Sequence, residues 1–113
     1  MITEKGKLPI GIEFAGKCHR EYELRPQKLK DSIEAMEIER ARTNDTYFAV
    51  CLLAKQIIRL GEIPVNAITP ELLLELYDED AGELSRAKER LAKKLAAFRG
   101  EDEAGKKTDP RPA

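Results

Sequence analysis

The chain has 113 residues, 42% apolar and 36% charged, which is room for one domain that must commit nearly every apolar face to its core. Its 20 basic and 21 acidic residues leave a net charge of −1, so no long-range field draws it to a phosphate backbone or an anionic membrane. Cys18 and Cys51 are too few and too far apart for a disulfide framework, and no stretch approaches the roughly 20 apolar residues of a membrane span.

The start, MITEKGKLPI, has no basic segment followed by an apolar run, so a cytoplasmic location with reduced thiols is expected. Residues 1–7 are polar and read as a flexible N-terminus. Period-two patterning then runs from 8 to 25. A loop at Ala15-Gly16-Lys17 sets Phe14 opposite Cys18, Ile12 opposite Arg20, Ile10 opposite Tyr22 and Leu8 opposite Leu24, giving a β-hairpin with one apolar face. In that register Cys18 is a small core residue and His19 faces solvent.

Pro26 ends the second strand. Asp31 with Glu34 gives a capped start to a helix over about 31–43, with Ile33, Met36, Glu37 and Arg40 on one stripe. Asn44 or Asp45 opens a helix over 45–60, apolar around most of its circumference and stopped by Gly61. After a connection around Pro64, Thr69-Pro70 caps a short helix over 70–77. Asp80 with Glu83 opens a last helix over 80–99, with Leu84, Ala87, Leu91, Leu95 and Phe98 on one stripe. The charged, Pro-containing segment 100–113 reads as a disordered tail. The predicted fold is therefore α+β, mainly α. An N-terminal β-hairpin is followed by three to four helices, all in a single domain over 8–99.

Chemistry is sparsely provided for. Cys18-His19 and Cys51 offer no four-ligand zinc spacing, so no metal or other cofactor is expected. The single His has no G-x-S-x-G elbow or other evident nucleophile to serve, and Cys51 lies on an apolar helix where a thiol is ordinarily inert. Glu34, Glu37, Glu39, Glu75, Asp78, Glu79, Asp80 and Glu83 sit on polar faces or at helix starts, where they are solvated or favoured by the helix dipole. No glycine-rich phosphate loop is present. Arg86, Lys88, Arg90, Lys93, Lys94 and Arg99 make a basic helix side, but Glu83 and Glu89 interrupt it and no aromatics interleave, so nucleic acid is not expected as a partner. The chain reads as a binding protein, not an enzyme.

Several segments in order carry a resemblance. Gly11, Glu13, Phe14 and Gly16 of the hairpin, Glu23-Leu24-Arg25 at the strand end, the Thr69-Pro70 start and the passage from Leu76 to Leu84 look like the tail assembly chaperones of Mu-like bacteriophages and prophages, over about residues 8–98. The resemblance implies a non-enzymatic protein of the host-cell cytoplasm, absent from the finished virion. Its partner would be the tape-measure protein, whose apolar helices it keeps soluble while the tail is built. It also allows a homo-oligomer. The surplus of apolar surface on helix 45–60 and its neighbour puts the candidate partner-binding residues at Tyr47, Phe48, Cys51, Leu52, Ile58, Leu73 and Leu76. The class alternatives are a small nucleic-acid-associated regulator and a minor structural phage protein.

Overall fold

The computed structural model describes residues 2–102. The period-two segment forms the expected hairpin, β1 (Glu4–Phe14) and β2 (Lys17–Leu24), over a longer stretch and on a tighter turn. The turn is Ala15-Gly16 alone, both at positive φ (54° and 77°), not a three-residue loop. Two consecutive left-handed residues match the twist of antiparallel strands. Phe14 therefore faces Lys17, Glu13 faces Cys18 and Ile12 faces His19. This displaces the expected register by one residue, and because side chains alternate along a strand the roles of neighbours exchange. Cys18 is exposed and His19 is buried, the reverse of the expectation.

Past Ile12 the ladder breaks. Leu8, Pro9, Ile10 and Gly11 stand opposite Arg20 alone before pairing resumes at Lys7–Glu21 and continues to Glu4–Leu24. Pro9 has no N–H to lose, and Gly11 takes φ 107°, so both suit a bulge. Side chains replace the lost ladder bonds. Arg20 donates from Nε to the Leu8 carbonyl (2.8 Å) and from Nη2 to that of Pro9 (3.2 Å). The Cys18 thiol donates to the Ile10 carbonyl (3.4 Å). The Asp80 carboxylate accepts the N–H groups of Ile10 (2.8 Å) and Gly11 (3.0 Å). The bulge corrects the far half of the predicted pairing: Tyr22 faces Gly6, Leu24 faces Glu4, and Ile10 turns outward. Residues 4–7, expected to be loose, are strand.

The helix expected over 31–43 is two helices, α1 (Leu29–Met36) and α2 (Glu39–Arg42). Arg42 covers the orphaned carbonyls at the break, donating to those of Met36 (2.6 Å) and Glu37 (3.2 Å). The segment expected as one helix over 45–60 changes structure midway. α3 (Asp45–Gln56) starts on an Asn44 cap whose Oδ1 accepts from Tyr47 N–H (3.0 Å), and Ile57–Leu60 is a strand, β3. β3 pairs antiparallel with β2 (Tyr22–Leu60, Glu23–Arg59), giving the order β1-β2-β3. A two-stranded hairpin is marginal alone and leaves an open edge, so β-branched Ile57 and Ile58 gain more as a third strand than as a last helical turn. Gly61, at φ 57°, turns the chain away.

A 3-10 turn at Val65–Ala67 leads to α4 (Pro70–Leu73), where Thr69 Oγ1 accepts from Leu72 N–H (3.2 Å); α4 is shorter than the predicted 70–77. α5 (Asp78–Asp102) begins before and ends after its predicted bounds of 80 and 99, and the rest of the predicted tail, 103–113, lies outside the described residues.

The main core joins the sheet to α5 through Leu8, Ile12, Tyr22, Leu24, Ile57, Leu60, Leu84, Ala87 and Leu91, with Ile63, Ile68 and Leu73 at its side. A smaller core, Ala35, Ala41, Tyr47, Cys51 and Leu52, holds α1 and α2 on α3. The architecture is the α+β, mainly helical one read from the sequence. No helix among the described residues is long and apolar enough to cross a membrane.

Candidate protein-docking surface

Where β2 gives way to α1, Arg25 and Asp31 lock the two together. The guanidinium donates from Nη1 and Nη2 to the two carboxylate oxygens (2.9 Å each), and Asp31 Oδ2 also accepts from Lys28 N–H (2.8 Å) at the start of the helix. The pairing holds the Asp31 carboxyl down at about 2 against the opposing cost of burial. Arg25 is fixed in turn by α3: its N–H donates to the Gln56 carbonyl (2.9 Å), and its own carbonyl accepts from Gln56 Nε2 (3.0 Å).

With its inner side pinned through Asp31 and Ala35, α1 turns the opposite stripe outward. Leu29, Ile33 and Met36, spaced i, i+4, i+7, are 78%, 56% and 46% exposed. The stripe on α5 is split similarly. Leu84, Ala87 and Leu91 enter the core, while Leu95 and Phe98 are exposed. Between the β2–α1 link and this end of α5 runs a groove of about 570 Å³ lined by Ile2, Pro26, Leu95 and Phe98, with Arg25, Lys28 and Lys30 as its charged residues. A hollow of about 260 Å³ adjoins it, lined in part by Lys88 and Gln56. Burial there pulls the Lys88 amine below its ordinary pKa, and Gln56 Oε1 is buried without a hydrogen-bond partner.

α5 is held rigidly over β1 and β2. Arg90 donates to Glu4 (2.7 Å), to Glu83 (3.0 Å) and to the Tyr22 hydroxyl (3.1 Å), and Lys94 reaches Glu4 (2.9 Å) and the Thr3 carbonyl (2.7 Å). Tyr22 donates to Glu83, and its hydroxyl is pushed up to about 12, first by burial and then by that carboxylate. Arg90 and Lys94 lower Glu4; the Tyr22 hydroxyl, then Arg90, lower Glu83. Of the basic residues on this helix, Arg86, Arg90 and Lys94 are therefore engaged with carboxylates of the same domain.

Other reactive side chains are occupied too. His19 Nδ1 accepts from Glu62 N–H (3.1 Å), which places the ring proton on Nε2, facing the Phe14 carbonyl (3.1 Å). Burial pushes the Cys51 thiol up, away from the thiolate. Among the described residues no three His, Cys, Asp or Glu come together as a metal-binding group.

Four residues expected to contact a partner are instead interior. Tyr47, Cys51 and Leu52 form the smaller core and Leu73 joins the main one, so they hold this domain together. Tyr47 also donates to Glu71 (2.6 Å) under the Arg40 guanidinium, 4.3 Å from the ring centroid. Phe48 and Leu76 are half-buried against the two cores, and Ile58 is half-buried in a hollow beside Ile68. Most of the exposed apolar residues lie elsewhere: Leu29, Ile33 and Met36, Leu95 and Phe98, Leu74 and Tyr77 before α5, and Ile10 at the bulge, while Val65 is exposed beside Ile58. The i, i+4, i+7 spacing from Leu29 was readable in the sequence, but a stripe of that kind is equally the signature of a core-facing side.

Comparison with protein-family models, with curated proteins and with solved structures finds no match to this chain.

Proposed function

We propose that this chain is a non-enzymatic binding protein of the cytoplasm that holds apolar helical segments of another protein, acting as a tail assembly chaperone of the Mu-like phage kind with the tape-measure protein as client. The observation that carries this reading is the uncovered stripe on α1. A domain of this size that leaves Leu29, Ile33 and Met36 in water, on a helix firmly pinned by its other side, offers a preformed row of anchors to an amphipathic helix. The client is inferred from the resemblance of the hairpin, Thr69-Pro70 and Leu76-to-Leu84 segments to those chaperones. Occupied histidine, thiol and carboxylate groups fit a protein that works by contact.

Co-expression tests it. A tape-measure protein of a Mu-like phage should move from the insoluble to the soluble fraction when the chain is present. Ile33→Asp with Met36→Asp should abolish that rescue while leaving the circular dichroism spectrum and melting temperature unchanged, because both side chains are already exposed. Equal rescue by the double variant, or no rescue by the natural chain, overturns the reading.

A further inference from the structure

The groove at the outer end of α5 has an apolar lining, and among the described side chains its charged residues are all cations: Arg25, paired with Asp31, and Lys28 and Lys30. The other end of the same helix carries the converse surface. Leu74 and Tyr77 are exposed there, flanked by exposed Glu75, Asp78 and Glu79. This acidic ridge precedes and opens α5, whereas Phe98 lies near its end, about 30 Å away along a helix rising about 1.5 Å per residue. A single copy therefore cannot place its own ridge in its own groove.

We propose that the groove takes the acidic ridge of a second copy of this chain. Leu74 and Tyr77 of one copy pack against Leu95 and Phe98 of the other, with Glu75 and Glu79 set against Lys28 and Lys30. Groove against groove would oppose like charges, and so would ridge against ridge; only ridge against groove is attractive. The contact also withdraws from water four apolar side chains that this domain leaves uncovered. Because each copy presents one ridge and one groove, two copies with antiparallel α5 helices satisfy both contacts at once, whereas a head-to-tail arrangement leaves one of each free to extend. Lys28 and Lys30 flank Leu29 at the start of α1, so the two surfaces adjoin; client rescue is read through Ile33 and Met36 and self-association through the groove and ridge, which keeps the two tests distinct.

The test is the mass of the 113-residue chain by sedimentation equilibrium over a concentration series, with no client present. The natural chain should associate, and raising ionic strength from about 0.1 M to about 1 M should weaken association, because the screening length falls from about 10 Å to about 3 Å. Glu75→Lys with Glu79→Lys should raise the dissociation constant about tenfold or more, and so should Lys28→Glu with Lys30→Glu. An equimolar mixture of these two variants should recover the associated mass, since each then offers what the other's altered surface needs. Should the ridge charge variant fail to fold by circular dichroism, Leu74→Ser with Tyr77→Ser takes its place, with loss of association as the expected result. A natural chain that is monomeric throughout overturns the proposal. So does association that survives both charge variants, or folded variants that do not recombine. Capture by the groove of an acidic helix from another protein, with no self-association, assigns it a different occupant and equally overturns the proposal.

Discussion

Replacing Asp31 with asparagine removes the charge from the pair that pins α1 to the end of β2 while keeping the shape of the side chain. Only 1% of the Asp31 side chain and 19% of the Arg25 side chain reach solvent, so the loss leaves a mostly covered guanidinium without its counter-charge. Breaking a sealed ion pair from one side costs about 3–5 kcal/mol, and the part of Arg25 that stays in water lowers that figure. The titration of the carboxyl sets a second scale. Moving from an ordinary 3.8 to about 2 corresponds to about 2 kcal/mol in favour of the paired, ionised form. Asp31→Asn is therefore expected to cost about 2–3 kcal/mol at neutral pH, a large share of the roughly 5–15 kcal/mol that a domain possesses. Urea denaturation followed by far-ultraviolet circular dichroism measures it. The pH dependence has a definite sign. The folded carboxyl titrates below the unfolded one, so its contribution is complete above about pH 4 and is lost as pH falls through about 2. The gap between natural chain and variant should close over that interval. A penalty below about 0.5 kcal/mol, or one that stays constant down to pH 2, would refute the view that this ion pair anchors α1.

Three further outcomes are expected. Ala15→Gly should stabilise the protein by about 1 kcal/mol, because an alanine at φ 54° bears the left-handed penalty that glycine escapes; a lower melting temperature would contradict the two-residue turn. Asp80→Ala should cost about 3 kcal/mol by leaving the Ile10 and Gly11 N–H groups without acceptors, and hydrogen exchange at those two amides should accelerate; unchanged protection would sink the account of the bulge. Gly61→Ala should destabilise by about 1–3 kcal/mol, since the residue has φ 57° and an added Cβ would collide with the His19 ring; a neutral effect in thermal melts would show that the turn after β3 yields easily.

What the sequence determined by itself is what neighbouring residues decide among themselves. Alternation over 8–25 placed a hairpin, the Asn44 and Thr69 side chains with Pro70 marked two helix starts, and the stripe through Leu84, Ala87 and Leu91 identified the long helix and its buried side. Each of these signals acts within a turn or two of chain. The tertiary structure decided the rest because the interactions responsible are distant in sequence. Ile57–Leu60 is a strand only because the open edge of β2, some 35 residues earlier, is there to pair with it. The bulge at Leu8–Gly11 persists only because Asp80, 69 and 70 residues away, accepts two of its N–H groups. The candidate surface moved for the same reason. Tyr47, Cys51, Leu52 and Leu73 were absorbed by cores that other elements complete, while Leu29, Ile33, Leu95 and Phe98 were left outside. Periodicity announces that a face is apolar, and only the packing of the whole chain determines whether anything covers it.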